Sequence, residues 1–261
     1  MQKLVVVKIG GNIIDDSAAL DKFLKIFAGI QIPKILVHGG GKLATEIAET
    51  LNIPQQMVEG RRITDEPTLK VVTMVYAGFI NKNIVAKLQS NACNAIGLTG
   101  ADANIISAKK RVVKAIDYGF AGDIISDKIN KKNIEVFLSH SLTPVIAPIT
   151  HDGNGQLFNT NADTIANEIS KAMSEHYQVQ LIYCFDKKGV LENINDENSV
   201  IKLITKENID KLKADNIIHK GMIPKIENAL QAVSAGVQNV CIGHGLALNE
   251  IINGHAGTSI K

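Results

Sequence analysis

Apolar runs of strand length alternate with helix-period segments from one end of this chain to the other, a pattern that restricts it to an α/β fold with a largely parallel sheet. Leu4-Val5-Val6-Val7, Ile35 to Val37, Ala95 to Leu98, Pro144 to Ala147, Leu181 to Cys184 and Val237 to Ile242 read as strands. Between them, Ser17 to Phe27 sets Leu20, Phe23, Leu24 and Phe27 on one helical face, with Ser17 in the N-cap position. Lys42 to Leu51, Thr68 to Asn91 with a bend at Gly78, Asn133 to Ser139, and Ile223 to Ser234 with Pro224 near its start are also helical. A further helix opens at Asn161-Ala162-Asp163 and carries Ile165, Ile169 and Met173 at four-residue spacing. Ile105 to Ser107 pairs in a hairpin with Val112 to Ile116, and Asp152-Gly153-Asn154-Gly155 is a second hairpin turn. Gln55 to Thr64 is a polar excursion over a sheet edge, and Asn193 to Ser199 is a surface loop.

Hydrophobic residues make up 45% of the chain, yet only 4% are aromatic and none is tryptophan, which gives the aliphatic core that buried parallel sheets favour. With 261 residues, no repeats and no linker rich in Pro, Gly or Ser, the expectation is a single α/β domain, 1–261, with two lobes around one continuous sheet. A net charge of +2, without a basic arm, argues against nucleic acid as a partner. Cys93, Cys184 and Cys241 are odd in number and widely spaced, so neither a disulfide framework nor a zinc site is indicated. No apolar run approaches the ~18 residues of a membrane helix, and Met1 to Val7 enters a strand without a leader, so a reduced, cytoplasmic protein is expected.

Gly39-Gly40-Gly41 stands between the strand Ile35 to His38 and a helix. Glycines admit positive φ and close backbone approach, and helix N–H groups attract anions, so the corner suits a phosphate or a carboxylate. A ligand-free βα turn would use the same residues. Lys8 interrupts an apolar strand near its carboxyl end, just ahead of Gly10-Gly11, where parallel sheets bind ligands; an edge lysine reaching solvent is the plainer reading. Lys225 falls in the first turn of its helix, against the helix dipole, where an anion would offset the penalty. Asp163 lies in a first turn that favours it, and Asn159 and Asn161 precede it at alternate positions, with capping as the simplest role for Asn161. Of Arg61 and Arg62 one is expected in solvent and the other, Arg62, as a clamp for a carboxylate. His38 lacks neighbours at metal-ligand spacing and reads as structural. A Walker A loop is ruled out by Leu36 and Leu43, and the looser pattern Gly39-x-Gly41-x-x-Ala44 lacks the acidic residue of a dinucleotide site, Glu59 being the nearest candidate.

Taken in order, Lys8-Ile-Gly-Gly11, His38-Gly-Gly-Gly41, Gly60-Arg-Arg-Ile-Thr64, Gly97-Leu-Thr-Gly100, Asp117-Tyr-Gly-Phe-Ala-Gly122, Asn159-Thr-Asn-Ala-Asp163, Asp186-Lys-Lys-Gly-Val-Leu191 and Gly221-Met-Ile-Pro-Lys225 resemble the acetylglutamate kinases of the amino acid kinase family. The resemblance implies a three-layer αβα sandwich around a mainly parallel sheet. It implies an acyl-glutamate-binding and dimerisation lobe over about 1–150 and an ATP-binding lobe over about 151–261. The implied reaction is phosphorylation of the γ-carboxylate of N-acetyl-L-glutamate by MgATP, the second step of arginine biosynthesis. Lys8 and Lys225 match the lysines that stabilise the transferring phosphoryl group, and Asp163 the carboxylate that organises them. Gly40 and Gly41 match backbone donors at the reacting end of the substrate, Arg62 the α-carboxylate clamp and Asn159 the contact to the amide region. Gly10, Gly11, Asp186, Gly189, Leu191 and Met222 match the nucleotide site, with Mg²⁺ held mainly through the nucleotide phosphates and no metal ligand assigned to the protein.

A carboxylate nucleophile needs no general base, which fits the absence of a His or Cys nucleophile motif. Lys220 stands where many members have an acidic or small residue. The chain starts at its first strand, without the amino-terminal helix that links dimers into arginine-sensitive hexamers in some members; a homodimer with little or no arginine inhibition is expected. An N-succinyl-L-glutamate kinase, a non-catalytic nucleotide-binding sensor and a dinucleotide-binding oxidoreductase are the alternatives.

Overall fold

The structure, a computed structural model, describes residues 1–58, 60–215, 217–218 and 222–261. The expectations at Glu59, Lys220 and Gly221 lie outside the described residues. Eight strands form the main sheet in the order Leu203–Ile204, Thr258–Ile260, Asn239–His244, Tyr177–Phe185, Gln2–Ile9, Lys34–His38, Thr143–Ile146 and Ala95–Leu98. The six strands from Asn239–His244 to Ala95–Leu98 are mutually parallel, and Thr258–Ile260 runs antiparallel to its inner neighbour.

The two-residue period of a strand divides the core. Leu4 and Val6 point to one face, where Ile165, Ile169, Ile226 and Ile134 bring in the helices Ala162–Met173, Ile223–Ser234 and Lys131–Ser139. Val5, Val7 and Ile9 point to the other, where Phe23, Ala44 and Ile84 belong to the helices Ser17–Ala28, Gly41–Thr50 and Asn81–Ser90. Helices therefore cover both faces of a mainly parallel sheet, as expected. The first strand, Gln2–Ile9, lies between Lys34–His38 and Tyr177–Phe185, so the chain leaves it in opposite directions. Ligands collect at the carboxyl end of such a reversal.

Beyond that end, the strands Ile106–Lys110, Gly122–Ile129, Ile149–His151 and Leu157–Asn159 make a smaller sheet, and Met57–Val58 pairs with Arg61–Arg62. Several expectations change here. Ile106–Lys110 pairs with Gly122–Ile129 and not with Val112 to Ile116, because Ile124 and Ile129 reach the core while Val112 and Val113 stay exposed. Asp16, not Ser17, caps its helix, its carboxylate accepting from Ala18 N at 2.8 Å and Ala19 N at 3.0 Å. No bend breaks the helix at Gly78; Thr73–Ile80 is wound as a π-helix between Glu66–Val72 and Asn81–Ser90.

Candidate active site

The side-chain alternation that sends Leu4 and Val6 into the core sends Lys8 the same way, one step before the strand ends. Lys8 is 8% exposed. A cation so far from water requires a partner. Asp163 supplies it, with Lys8 Nζ 2.6 Å from Oδ1. Asn161 starts the Asp163 helix by accepting from Thr164 N at 3.0 Å, which fixes the first turn that carries the carboxylate. Lys225 arrives from a separate helix, its Nζ 3.9 Å from the second oxygen, Oδ2. Desolvation pulls the Lys225 pKa below the usual lysine value; Asp163 opposes that shift and the Lys8 charge adds to it. Tyr183, its hydroxyl 3.3 Å from the Asp163 carbonyl oxygen, has its pKa pushed up by burial and then by the Asp163 charge, so it stays a neutral donor.

The triglycine corner borders this group. Gly40 has φ +146°, and a Cβ there would lie 2.2 Å from Ile80 Cδ1. Only glycine meets both conditions. The buried Arg62 spans the corner, donating to the Gly41 carbonyl at 2.8 Å, to Thr45 Oγ1 at 2.9 Å and to Gln55 Oε1. Beneath it, His38 is fully buried, its Nδ1 2.8 Å from the Gly39 carbonyl oxygen and its Nε2 3.1 Å from Asn81 Nδ2. Since a carbonyl only accepts, Nδ1 carries the proton and Nε2 accepts from Asn81. Burial lowers the His38 pKa to about 4, so the ring is neutral and structural, as the sequence implied.

A cleft of about 250 Å³ joins these parts. Lys8, Gly10, Gly11, Gly40, Gly41, Arg62, Asn159 and Asp163, all singled out in the sequence, line it together. Lys225 joins them through Asp163. Asn159 donates to Thr64 Oγ1 at 3.0 Å. Arg61 is exposed and Arg62 is buried, so one of the adjacent pair faces solvent as expected.

Tyr76 and Arg111 also line the cleft and escaped sequence reasoning. Tyr76 is one more apolar residue in helical phase. Arg111 sits in a stretch without a motif; its guanidinium pairs with Asp123 and lies 5.5 Å from the Tyr118 ring centre. Four cationic side chains, Lys8, Arg61, Arg62 and Arg111, thus face a cleft in which Asp163 is the sole carboxylate among the described residues. That balance favours an anionic ligand.

Asp186, Gly189, Leu191 and Met222 do not line this cleft. Asp186 is exposed just past its strand, and Met222 is half-buried ahead of the Lys225 helix. Gly189 is packed so closely that a Cβ would lie 2.7 Å from Thr258 Oγ1, and Leu191 is buried and bridged to Val200. Among the described residues no three His, Cys, Asp or Glu side chains cluster to hold a metal ion. The Asp163 carboxylate is shared between two ammonium groups, Lys8 Nζ on Oδ1 and Lys225 Nζ near Oδ2.

The sequence profile of the amino acid kinase family matches residues 3–244. The chain belongs to the amino acid kinase family. Within that family it is 56% identical over 254 residues to the acetylglutamate kinase of Cytophaga hutchinsonii, a match covering 97% of this chain and 96% of that protein. It is 51% identical over 260 residues to the acetylglutamate kinase of Phocaeicola vulgatus, covering 100% and 99%. Among solved structures, the smu.665 protein of Streptococcus mutans superimposes with a TM-score of 0.79 at 29% identity, over 99% of this amino acid kinase and 98% of that chain.

Proposed function

We propose that this amino acid kinase is an acetylglutamate kinase, which phosphorylates the γ-carboxylate of N-acetyl-L-glutamate with ATP in arginine biosynthesis. Near full-length likeness to acetylglutamate kinases supports the acetyl substrate over the succinyl alternative. The observation that carries the chemistry is the gathering of Lys8 and Lys225 on Asp163 beside the triglycine corner.

A carboxylate oxygen attacks the γ-phosphorus, the bond to the bridging oxygen breaks, and its electron pair leaves on ADP. The acyl phosphate N-acetyl-L-glutamyl 5-phosphate is the other product. No proton moves, so the protein's task is alignment and charge neutralisation. Lys8 and Lys225 take that role on the phosphoryl oxygens, and Asp163 keeps two like charges close together. The Gly10, Gly11, Gly40 and Gly41 backbone approaches the reacting groups without Cβ interference. Arg62 presents its remaining N–H groups to the substrate α-carboxylate, and Asn159 meets the amide region. Asp186, Gly189, Leu191 and Met222 belong to the nucleotide side; Mg²⁺ carried on the nucleotide phosphates would neutralise part of their charge. Residues 1–150 form the acyl-glutamate lobe and 151–261 the nucleotide lobe.

The enzyme is a cytoplasmic homodimer in this reading. The free, buried Cys93, Cys184 and Cys241 support a reducing compartment, and no described helix is long and apolar enough to cross a membrane. Exposed Met74 and Phe79 on one helix offer apolar surface to a second copy.

Hydroxylamine traps acyl phosphates as hydroxamates, so incubation with MgATP and N-acetyl-L-glutamate tests the reading directly. Hydroxamate formation that depends on both substrates is expected. Folded enzyme that gives none would overturn it.

A further inference from the structure

We infer that Phe185 is a positioning residue of the phosphoryl-transfer site, its ring forming an aromatic seat for the Lys225 ammonium. The inference rests on the function proposed above and adds a side chain that no motif singled out. In the sheet, Lys8 pairs in register with Tyr183, so Phe185, two residues on, projects from the same face at the carboxyl end. Its ring centre is 4.2 Å from Lys225 Nζ and 5.9 Å from Lys8 Nζ. Both lie within the range of attraction between a cation and the negative face of an aromatic ring.

Lys225 needs such a partner more than Lys8 does. Asp163 gives its short contact to Lys8, at 2.6 Å, while Lys225 stands 3.9 Å from the other oxygen, beyond hydrogen-bond distance. Burial, the neighbouring Lys8 and a position in the first turn of its own helix all disfavour the Lys225 charge. A second carboxylate would offset this, but it would occupy the ammonium donors and repel phosphate. An aromatic face stabilises the cation without accepting an N–H in a directed bond. The ammonium thus remains charged, held in place, with donors left for a phosphoryl oxygen.

Phe185→Leu and Phe185→Tyr separate the ring from mere bulk. The Lys225 pKa is read without turnover, by NMR titration of the ¹³Cε-labelled lysines, with the resonance assigned from its loss in Lys225→Arg. Asp163 and Lys8, the charged groups that face Lys225 among the described residues, are present in both variants. In Phe185→Leu the Lys225 pKa is expected to fall by about 0.5–1 unit, and the alkaline limb of the kcat/KM profile to move down with it. Expected kcat is about 3- to 10-fold lower with the KM for N-acetyl-L-glutamate near wild type, and Phe185→Tyr should restore both readouts.

Wild-type enzyme provides a check that needs no variant at Phe185: the protons of the Lys225 ε-CH₂ group, one bond from the nitrogen over the ring, should resonate upfield of the other lysines. An ordinary wild-type shift, an unmoved Lys225 pKa in folded Phe185→Leu, or a Phe185→Tyr as impaired as the leucine variant would each overturn the inference. Wild-type turnover in Lys225→Ala would instead overturn the role given to Lys225 itself.

Discussion

Lys8 and Lys225 carry the same charge and differ in their surroundings. In the proposed mechanism either ammonium faces the negative charge that moves during transfer, so Lys8→Ala and Lys225→Ala should each lower kcat about 10²–10³-fold. The KM for N-acetyl-L-glutamate should change little, and steady-state kinetics with both substrates varied will test that split. An equal change in KM would point to simple binding. Arg62 is different, because one guanidinium holds the Gly41 carbonyl, Thr45 and Gln55 at once. A lysine keeps the charge and loses the planar fork. Arg62→Lys should therefore raise the KM for N-acetyl-L-glutamate about 10-fold, with a smaller change in kcat, and an unaltered KM would remove Arg62 from the substrate site. Lys8 and Asp163 were legible in the sequence because a charge in an apolar strand and an acid in a first helical turn each violate or satisfy a simple rule. Tyr76 and Arg111 were not legible, since their importance depends only on which cleft the tertiary fold turns them toward.

Elements set the precision with which those side chains meet. The helix that carries Asp163 begins at Asn161, whose side chain satisfies Thr164 N. Asn161→Ala should cost about 1 kcal/mol of stability by urea unfolding and should lower kcat more than a distant cap loss of equal size, because the first turn holds the carboxylate. At the glycine corner, Gly40→Ala meets both a positive φ and the Ile80 side chain. Activity should be nearly abolished in an enzyme that still folds, while the smaller Ile80→Ala in the same chain relieves the clash and leaves the φ penalty; full recovery in the double variant would show that steric contact alone demanded glycine. The inner parallel strands were legible from short apolar runs such as Leu4 to Val7, Ile35 to Val37 and Leu181 to Cys184, where both faces are buried. Short edge strands such as Leu203–Ile204 and Thr258–Ile260 lacked such runs, and only pairing with a neighbour defines them. The partner of Ile106–Lys110 was misread for a related reason: adjacent Val112 and Val113 look strand-like, but burial of Ile124 and Ile129 decides the register.

For the molecule as a whole, pH acts through His38. The folded-state pKa, lowered to about 4 by burial, lies below the ordinary histidine value of 6.5, so the unfolded chain binds a proton more readily. Its contribution is fully present above pH 6.5 and is lost as pH falls toward 4, by roughly 3 kcal/mol in total. Urea unfolding between pH 7 and 4.5 should show that decline, and His38→Asn should flatten it. An equally steep decline in the variant would assign the effect to other groups. The place of the first strand has a consequence for synthesis. Gln2–Ile9 leaves the ribosome well before Tyr177–Phe185, the strand that one of its edges waits for. Pairing across so long an interval is slow, and until it closes the nascent chain carries an open edge on which another molecule could add. Lys8 and Asp163 therefore meet late in biogenesis, and an incomplete translation product has no competent site with which to consume ATP.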